Sequence, residues 1–560
     1  MSKTRGFAPQ SEWNKVKWRK LELTVFKLQK RIYQASSRGD VRVVKKLQKT
    51  LMKSWSAKMI AVRRVTQENK GKKTAGIDGV KALTNKQRLA LVASLKNFSK
   101  KAQPTRRVWI PKPGRKEKRP LGIPTMYDRT LQALAKQALE PEWEAKFESN
   151  SYGFRPGRSC HDAIEAIFKN SNKKEKWVLD ADIAKCFDKI NHDALLTKLN
   201  TYPSLRRLIK SWLKAGIMDN GVFSPTEEGT PQGGIISPLL ANIALHGMEK
   251  AVWEHANTVK KKKTHYKRGL AFIRYADDFV ILHQDQKVVE EYKEVIKEWL
   301  KGMGLELKPS KTKITNLYDG IDFLGFNIRH YKVGKNHSKR GFKTIIKPSK
   351  EAISKHYEQL STAINKHRAA PQEALISYLK PIIRGWCNYY RSVCSKEIFD
   401  DLGNMLWNKL QRWGYRRHPN KSKSWVTKKY WGTVDKDNWM FMTDKDNYLP
   451  KHAKTEIVRH VKVQEARSPY DGDLIYWNTR MRNHPEMTSQ KGRLLKRQKG
   501  KCAHCGLTFR DGDLLEKHHI IPRALGGNNL DKNLEVLHLH CHDAKHGIKV
   551  NSSELDENPF

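Results

Sequence analysis

The chain has 560 residues, too many for one hydrophobic core, and reads as several domains. Its 109 Lys and Arg against 57 Asp and Glu leave a formal charge of +52, which excludes a compact body without a polyanionic partner; nucleic acid fits best. No apolar run approaches the roughly 18 residues of a membrane span, no lipidation signal is present, and the leading MSKTRGFAPQSEW lacks the hydrophobic segment of a signal peptide, so no membrane partner is expected.

Residues 13–68 space Leu21, Val25, Leu28 and Ile32, then Val44, Leu47 and Leu51, at helical intervals. A basic loop, KGKKTAGIDGV, follows. RRVWIPKPGRKEKRPLGIPTMYDR, rich in Pro and basic residues, predicts extended segments joined by turns. A helix to about Phe147, the loop SYGFRPGRS and a helix from about Cys160 come next. WVLDADI, residues 177–183, predicts a strand.

The stretch FIRYADDFVIL, Phe272 to Leu282, predicts two strands with Asp277 and Asp278 at the bend. A helix follows, capped by Asp285, with Val288, Tyr292, Val295 and Trp299 on one face and Gly302 or Gly304 at its end; LELKPSKTKI then predicts a strand. Strand, helices, hairpin, helix and strand make an α+β domain with an antiparallel sheet. Residues 350–415 are helical by pattern, with Pro381 starting or kinking a helix. Residues 416–495 are basic, Trp-rich and weakly periodic, and NSSELDENPF is an acidic, disordered tail.

Two groups of residues carry chemistry. Adjacent carboxylates repel, so Asp277 and Asp278 are either a solvated turn or ligands of a divalent cation. The cation needs another acid, and Asp182, at the end of a strand, supplies it. Three carboxylates can hold two magnesium ions about 4 Å apart, the arrangement used for phosphoryl transfer. Asp180, two residues before Asp182, points the same way on a strand, and Phe187 reads as core or functional.

The second group lies at the C-terminus. Cys160, Cys186, Cys387 and Cys394 read as reduced and structural, whereas Cys502, Cys505, His538 and Cys541 pair two x2 spacings that suit structural zinc. Its purpose is stability, since about fifty residues bury too little surface alone. His518, His519, Asn533, His542 and His546 remain, either incidental to a zinc knuckle or a second, catalytic site.

In order, D-x4-F, GTPQGGIISPLLANIAL, YADD, LKPSKTKI and GIDFLGF resemble the palm of a reverse transcriptase. GIDGV, RRVWIPKP…RPLGIPTMYDR and SYGFRPGRS resemble the fingers of group II intron-encoded proteins. LKPIIRGWCNYYR resembles their maturase domain, and the Cys/His module, with HHxxP and N-x8-H-x3-H, resembles an HNH endonuclease. The resemblance implies an α+β multidomain chain: a right-hand-type polymerase, an α-helical thumb or maturase domain, and a small ββα-metal zinc module. The expected boundaries are an N-terminal helical extension at 1–60, fingers and palm at 61–345, and maturase at 346–415. A DNA-binding region at 416–495, the endonuclease at 496–550 and a tail at 551–560 complete them.

It also implies roles. Asp182, Asp277 and Asp278 hold two Mg2+. Phe187 is a steric gate against a 2′-hydroxyl. Arg106, Lys112, Arg119, Gln232 and Tyr275 contact the nucleotide. Arg384, Trp386, Tyr389, Tyr390 and Arg391 contact RNA. His519 is the general base, Asn533 fixes its loop, and His518, His542 and His546 hold the nuclease's divalent metal. His538 departs from the pattern, since many such modules have Cys there. The partners implied are an intron RNA held as a lariat ribonucleoprotein, target DNA and deoxynucleoside triphosphates, in the cytoplasm or nucleoid of a bacterium or in an organelle. Two other readings stand beside this one: a splicing factor with a relic polymerase, against which the three intact acids argue, and a stand-alone reverse transcriptase of a defence system, which has no use for the maturase and HNH segments.

Overall fold

A computed structural model describes residues 13–96, 101–111, 118–259 and 263–546. Lys112 and the acidic tail lie outside the described residues.

Three helices, Trp18–Ser37, Val41–Lys53 and Trp55–Arg63, open the described chain, and Asp40 caps the second by accepting from Val43 N. The expected stripe is buried: Leu21, Val25 and Ile32 meet Val44, Leu47 and Leu51, and all pack on the helix Met126–Glu144. These side chains share one core with Leu179, Phe272 and Phe279 of the palm, so the N-terminal helices and the palm are packed as one body.

The fingers strands Thr105–Pro111 and Lys118–Ile123 pair antiparallel; the first also runs parallel to Ile217–Asp219, which pairs with Val222–Ser224. The palm sheet is antiparallel, in the order Ala271–Tyr275, Asp278–His283, Trp177–Asp182, Lys313–Asn316. The strands of the Ala271–Tyr275/Asp278–His283 hairpin are buried almost throughout because both faces are covered. Leu179, Phe279 and Ile281 enter the core shared with the fingers, while Val178, Val280 and Leu282 enter the core shared with the thumb.

Two expectations need correction, and one pair of alternatives is narrowed. The helix Gln286–Lys301 buries Val288, Val289, Tyr292, Ile296 and Leu300, leaving Val295 and Trp299 half-buried at the margin of that face. LELKPSKTKI is not one strand: Pro309–Lys311 turns as a 3-10 helix, and the strand starts at Lys313. Pro381 starts no helix; it lies inside Gln372–Tyr390, with its ring exposed and the stripe Leu375, Ile376, Leu379, Ile383 and Cys387 buried.

Helices Lys350–Lys366, Gln372–Tyr390 and Lys396–Arg417 form the thumb. After the helix Lys423–Tyr430 and the hairpin Trp431–Val434/Asp437–Phe441, the chain runs back to the palm and ends in a ββα unit, Leu515–His519, Leu534–His538 and Leu539–His546. The helix Ser489–Arg497 supplies Leu494 and Leu495 to that unit's core, which therefore begins ahead of residue 496.

Candidate active sites

Sheet pairing brings the palm acids together. Asp182 lies directly opposite Asp278, and Tyr275 pairs with Asp278 across the tight turn formed by Ala276 and Asp277. Ala276 sits in the left-handed region, φ 57°, which lets two residues close the hairpin. Burial, then the charges of Asp277 and Asp182, push Asp278 up to about 7, and burial raises Asp277 as well. Burial, with Asp182 adding to it, takes Asp180 to about 6. Lys311 Nζ stands 2.8 Å from Asp182 Oδ2 and offsets part of this repulsion. Such a donor set, hard, anionic and mutually repelling, suits a divalent cation. The three carboxylates are less tightly gathered than the two Cys/His clusters of the C-terminal unit, whose ligand atoms all lie within 4.8 Å of one another.

Phe187 follows in the short helix Cys186–Lys189, half-buried, its ring edge-on to Phe154 at 6.1 Å. The loop carrying Gln232 is laced to this helix: Gly229 N donates to Ile190 O and Thr230 N to Phe187 O. Gln232 Nε2 donates to both oxygens of Asp188 at 3.2 Å. Phe187, Asp188, Gln232 and Arg107 line a cavity of about 280 Å³. Arg119 lies near enough to Asp277 for its charge to favour the ionised carboxylate. Arg106 does not present a free fork, because its Nε and Nη2 donate to Ala75 O at 3.0 and 2.8 Å.

The maturase aromatics serve the core. Tyr389 stacks on Phe326 at 5.2 Å and donates to Leu324 O, while Tyr390 is buried and donates to Gly325 O. Trp386 stacks on buried His356 at 4.5 Å. Tyr389 and Tyr390 thus pack on Phe326 and Trp386 on His356, which leaves Trp386 and Tyr389 half-buried. Arg384 is exposed, and half-buried Arg391 is held through its carbonyl by Val458 N.

In the ββα unit Cys502, Cys505, His538 and Cys541 gather as expected. His538 Nδ1 lies 3.4 Å from Cys505 Sγ, and its Nε2 lies 3.3 Å from Asp513 Oδ2. Asp513 thus places a negative charge behind the imidazole, on the side away from Cys505, a neighbour no spacing rule announced. Three thiolates and one imidazole are a zinc donor set. His518, His542 and His546 form a second cluster, with His518 Nδ1 2.9 Å from His546 Nε2. Burial lowers His518 and His542, favouring the neutral, ligating form. Asn533 ties down the loop after His519 through Ile521 N, Ile521 O and Asn528 O. His519 Nε2 meets Asn529 Oδ1 at 3.0 Å, a contact the sequence reading missed.

Comparison with known families agrees in chain order. Residues 13–95 match the N-terminal domain of reverse transcriptase, and 110–328 match reverse transcriptase (RNA-dependent DNA polymerase). Residues 353–431 match the group II intron maturase-specific domain, and 502–547 match HNH endonuclease. Protein YkfC of Escherichia coli K12 is 34% identical over 328 residues, covering 52% of this chain and 85% of that one. Group II intron-encoded protein LtrA of Lactococcus lactis is 28% identical over 536 residues, covering 81% of this chain and 86% of that one. The chain belongs to the group II intron-encoded proteins. It is a reverse transcriptase, a maturase and an HNH endonuclease in one polypeptide. A solved telomerase structure from Candida albicans matches at TM-score 0.33 and 13% identity, covering 59% of this chain and 65% of that one, too remote to inform the sites. Among the described residues, no helix is long and apolar enough to cross a membrane.

Proposed function

We propose that Asp182, Asp277 and Asp278 hold two magnesium ions and extend a DNA primer on an intron RNA template. The pairing of Asp182 with Asp278, followed at once by Phe187, carries this reading. When bound, the ions would lower the pKa of the primer 3′-hydroxyl and steady the triphosphate. The 3′-oxygen bonds to the α-phosphorus of a deoxynucleoside triphosphate as the bond to pyrophosphate breaks. Phe187 lies beneath the sugar and excludes a 2′-hydroxyl, Gln232 and Tyr275 border the new base pair, and Arg119 faces the phosphates. Lys112 remains a candidate for the triphosphate on its motif alone.

The ββα unit cuts DNA. Cys502, Cys505, His538 and Cys541 hold zinc for the fold, and His518, His542 and His546 hold a divalent ion at the scissile phosphate. His519 takes the proton from the attacking water. The excised intron lariat, carried with the protein, inserts into one strand of the target; the endonuclease cuts the other, whose 3′ end becomes the primer. Arg384 contributes to RNA contact. The protein works where intron RNA and chromosome share a compartment, the cytoplasm or nucleoid of a bacterium or an organelle.

The test is separability. Asp277→Ala should abolish extension on poly(rA)/oligo(dT) while RNA binding and splicing persist. His519→Ala should slow second-strand cutting by about 10²–10⁴-fold while extension persists. Polymerase activity near wild type in Asp277→Ala, or cutting near wild type in His519→Ala, overturns the corresponding assignment.

A further inference from the structure

The turn that follows His519 carries apolar side chains where a merely solvated loop would carry polar ones. Leu525 is 75% exposed, and Ile520, Ile521 and Leu530 are 52–56% exposed. Single exposed leucines are ordinary, but four such side chains within residues 520–530, beside a candidate general base, form a patch.

The turn is held rigidly. Asn533 binds the backbone of Ile521 on both its N–H and C=O, and that of Asn528. Inside those ties Leu525 N and Gly527 N donate to Pro522 O, and Gly526 N donates to Arg523 O. A Cβ on Gly527 would stand 1.9 Å from Ile521 O, so only glycine lets the turn close this tightly. The leucines are therefore displayed on fixed backbone, and their exposure is not relieved by collapse onto the module.

Charge selects the occupant. From Lys517 to Leu530 there is no acid, and Lys517 and Arg523 are present. Asp531 is paired with Arg493 at 2.6 Å. A second copy of a chain carrying +52 is repelled from such a surface, whereas a nucleic-acid duplex is drawn to it.

We propose that this turn enters the minor groove of the target duplex beside the phosphate cut by His519, with Leu525 leading, and partly unstacks one base step. The inference rests on the nuclease reading above and adds how that site holds its DNA. Apolar wedges of this kind kink duplexes by roughly 20–90°. Aliphatic groups make no hydrogen bonds to base edges, so the turn favours deformable steps, pyrimidine–purine above all, rather than a particular base.

The experiment uses the full chain assembled on the RNA that carries its reading frame, with a duplex of the joined flanking exons bearing 2-aminopurine at each step beside the second-strand cut. In the His519→Ala background, which leaves the second strand uncut, fluorescence at one step should rise about threefold on binding. Adding Leu525→Ala should remove the rise and Leu525→Met should keep it. With His519 present, Leu525→Ala should slow second-strand cutting about tenfold at saturating DNA, with zinc content and primer extension unchanged. Flat fluorescence at every step on a bound duplex overturns the wedge, as does wild-type cutting by Leu525→Ala. A dimer in light scattering that Leu525→Asp dissociates overturns it too, since the patch would then be covered by another copy. Wild-type cutting by His519→Ala instead sinks the nuclease reading itself, a distinguishable result.

Discussion

Gly153 offers a direct test of how the catalytic turn is held. Residues 150–153 run beside the strand Ala271–Tyr275: Arg274 N donates to Asn150 O, and Tyr152 N donates to Arg274 O, both at 2.9 Å. A Cβ on Gly153 would stand 2.3 Å from Ala276 N and 2.8 Å from Tyr275 C. Ordinary contact begins near 3.4 Å, so Gly153→Ala must push the turn about 1 Å. The turn has little freedom to absorb this elsewhere. Fully buried Arg274 grips Ala276 O, Asn242 Oδ1 and Ser151 Oγ at 2.8–3.0 Å, and Asn242 Nδ2 in turn holds Gly153 O. A misplacement of about 1 Å at reacting groups costs about 10²-fold in rate. Overpacking of this kind costs about 1–3 kcal/mol in stability, small enough for a chain of this size to stay folded. Gly153→Ala should therefore lower kcat on poly(rA)/oligo(dT) about a hundredfold, with RNA affinity and second-strand cutting retained. Extension within about threefold of wild type would show that this packing does not position the acids.

Other expectations follow from the same geometry. Phe187→Val should raise ribonucleotide incorporation relative to deoxynucleotide in single-nucleotide extension; unchanged sugar selectivity in an active variant would return Phe187 to the core. Asp278 keeps its proton up to about pH 7, so metal must displace that proton below this value. The half-saturating Mg2+ concentration for extension should rise about tenfold per pH unit below about 6.5 and level off above about 8; a flat profile across pH 5.5–8 would contradict the crowding of these carboxylates. Its raised value also means that Asp278 holds a proton in the metal-free fold where the unfolded chain does not between about pH 4 and 7, so its own contribution to stability is lost as pH rises through that window; the difference in melting between wild type and Asp278→Asn in EDTA isolates it. Asp513→Ala should weaken zinc binding about 10–100-fold in chelator competition, with primer extension intact; an unchanged affinity would deny Asp513 its hold on His538.

Much of both sites was legible because their chemistry is local in sequence. Tyr275, Asp277 and Asp278 lie in one hairpin, Asp182 and Phe187 in one strand-turn, and the clustered Cys502, Cys505, His538 and Cys541 in two short spacings. What stayed hidden depends on packing between distant segments. Tyr389 and Tyr390 have the composition of an RNA-binding surface, but a helix face cannot declare which neighbour covers it, and Phe326 does. Arg106 looks like any phosphate-binding arginine until Ala75 O is found in its fork. Asn529 and Asp513 act through a single contact each, and no period or spacing marks them. The rotated face of Gln286–Lys301 has a similar cause: the helix buries whatever the sheet meets, not the most hydrophobic line that can be drawn on it.

The loop SYGFRPGRS joins what the sequence divides. Its first half, Gly153 and Phe154, backs the catalytic turn and the Phe187 ring. Its second half receives residues 460–480, from the stretch expected to be a DNA-binding region. Arg158 donates to the carbonyls of Glu465 and Arg467, and Trp477 rests where a Cβ on Gly157 would be. Just beyond, fully buried Asp162 accepts from His460, Arg480 and Val463 N; burial alone would raise this carboxyl, but His460 and Arg480 outweigh it and hold it well below the usual range. The ββα unit is anchored separately, with Arg510 on Glu22 at 3.2 Å, Gln67 on Asp543 at 3.1 Å and Arg510 over the Phe26 ring. Breaking a buried charge at such a junction costs several kcal/mol, far more than a surface pair. A nuclease fastened at two places does not swing on a tether. On the reading proposed above, the cut 3′ end would reach Asp182, Asp277 and Asp278 by movement of the DNA across a fixed protein surface, and the large positive charge of the chain would supply that surface along the way.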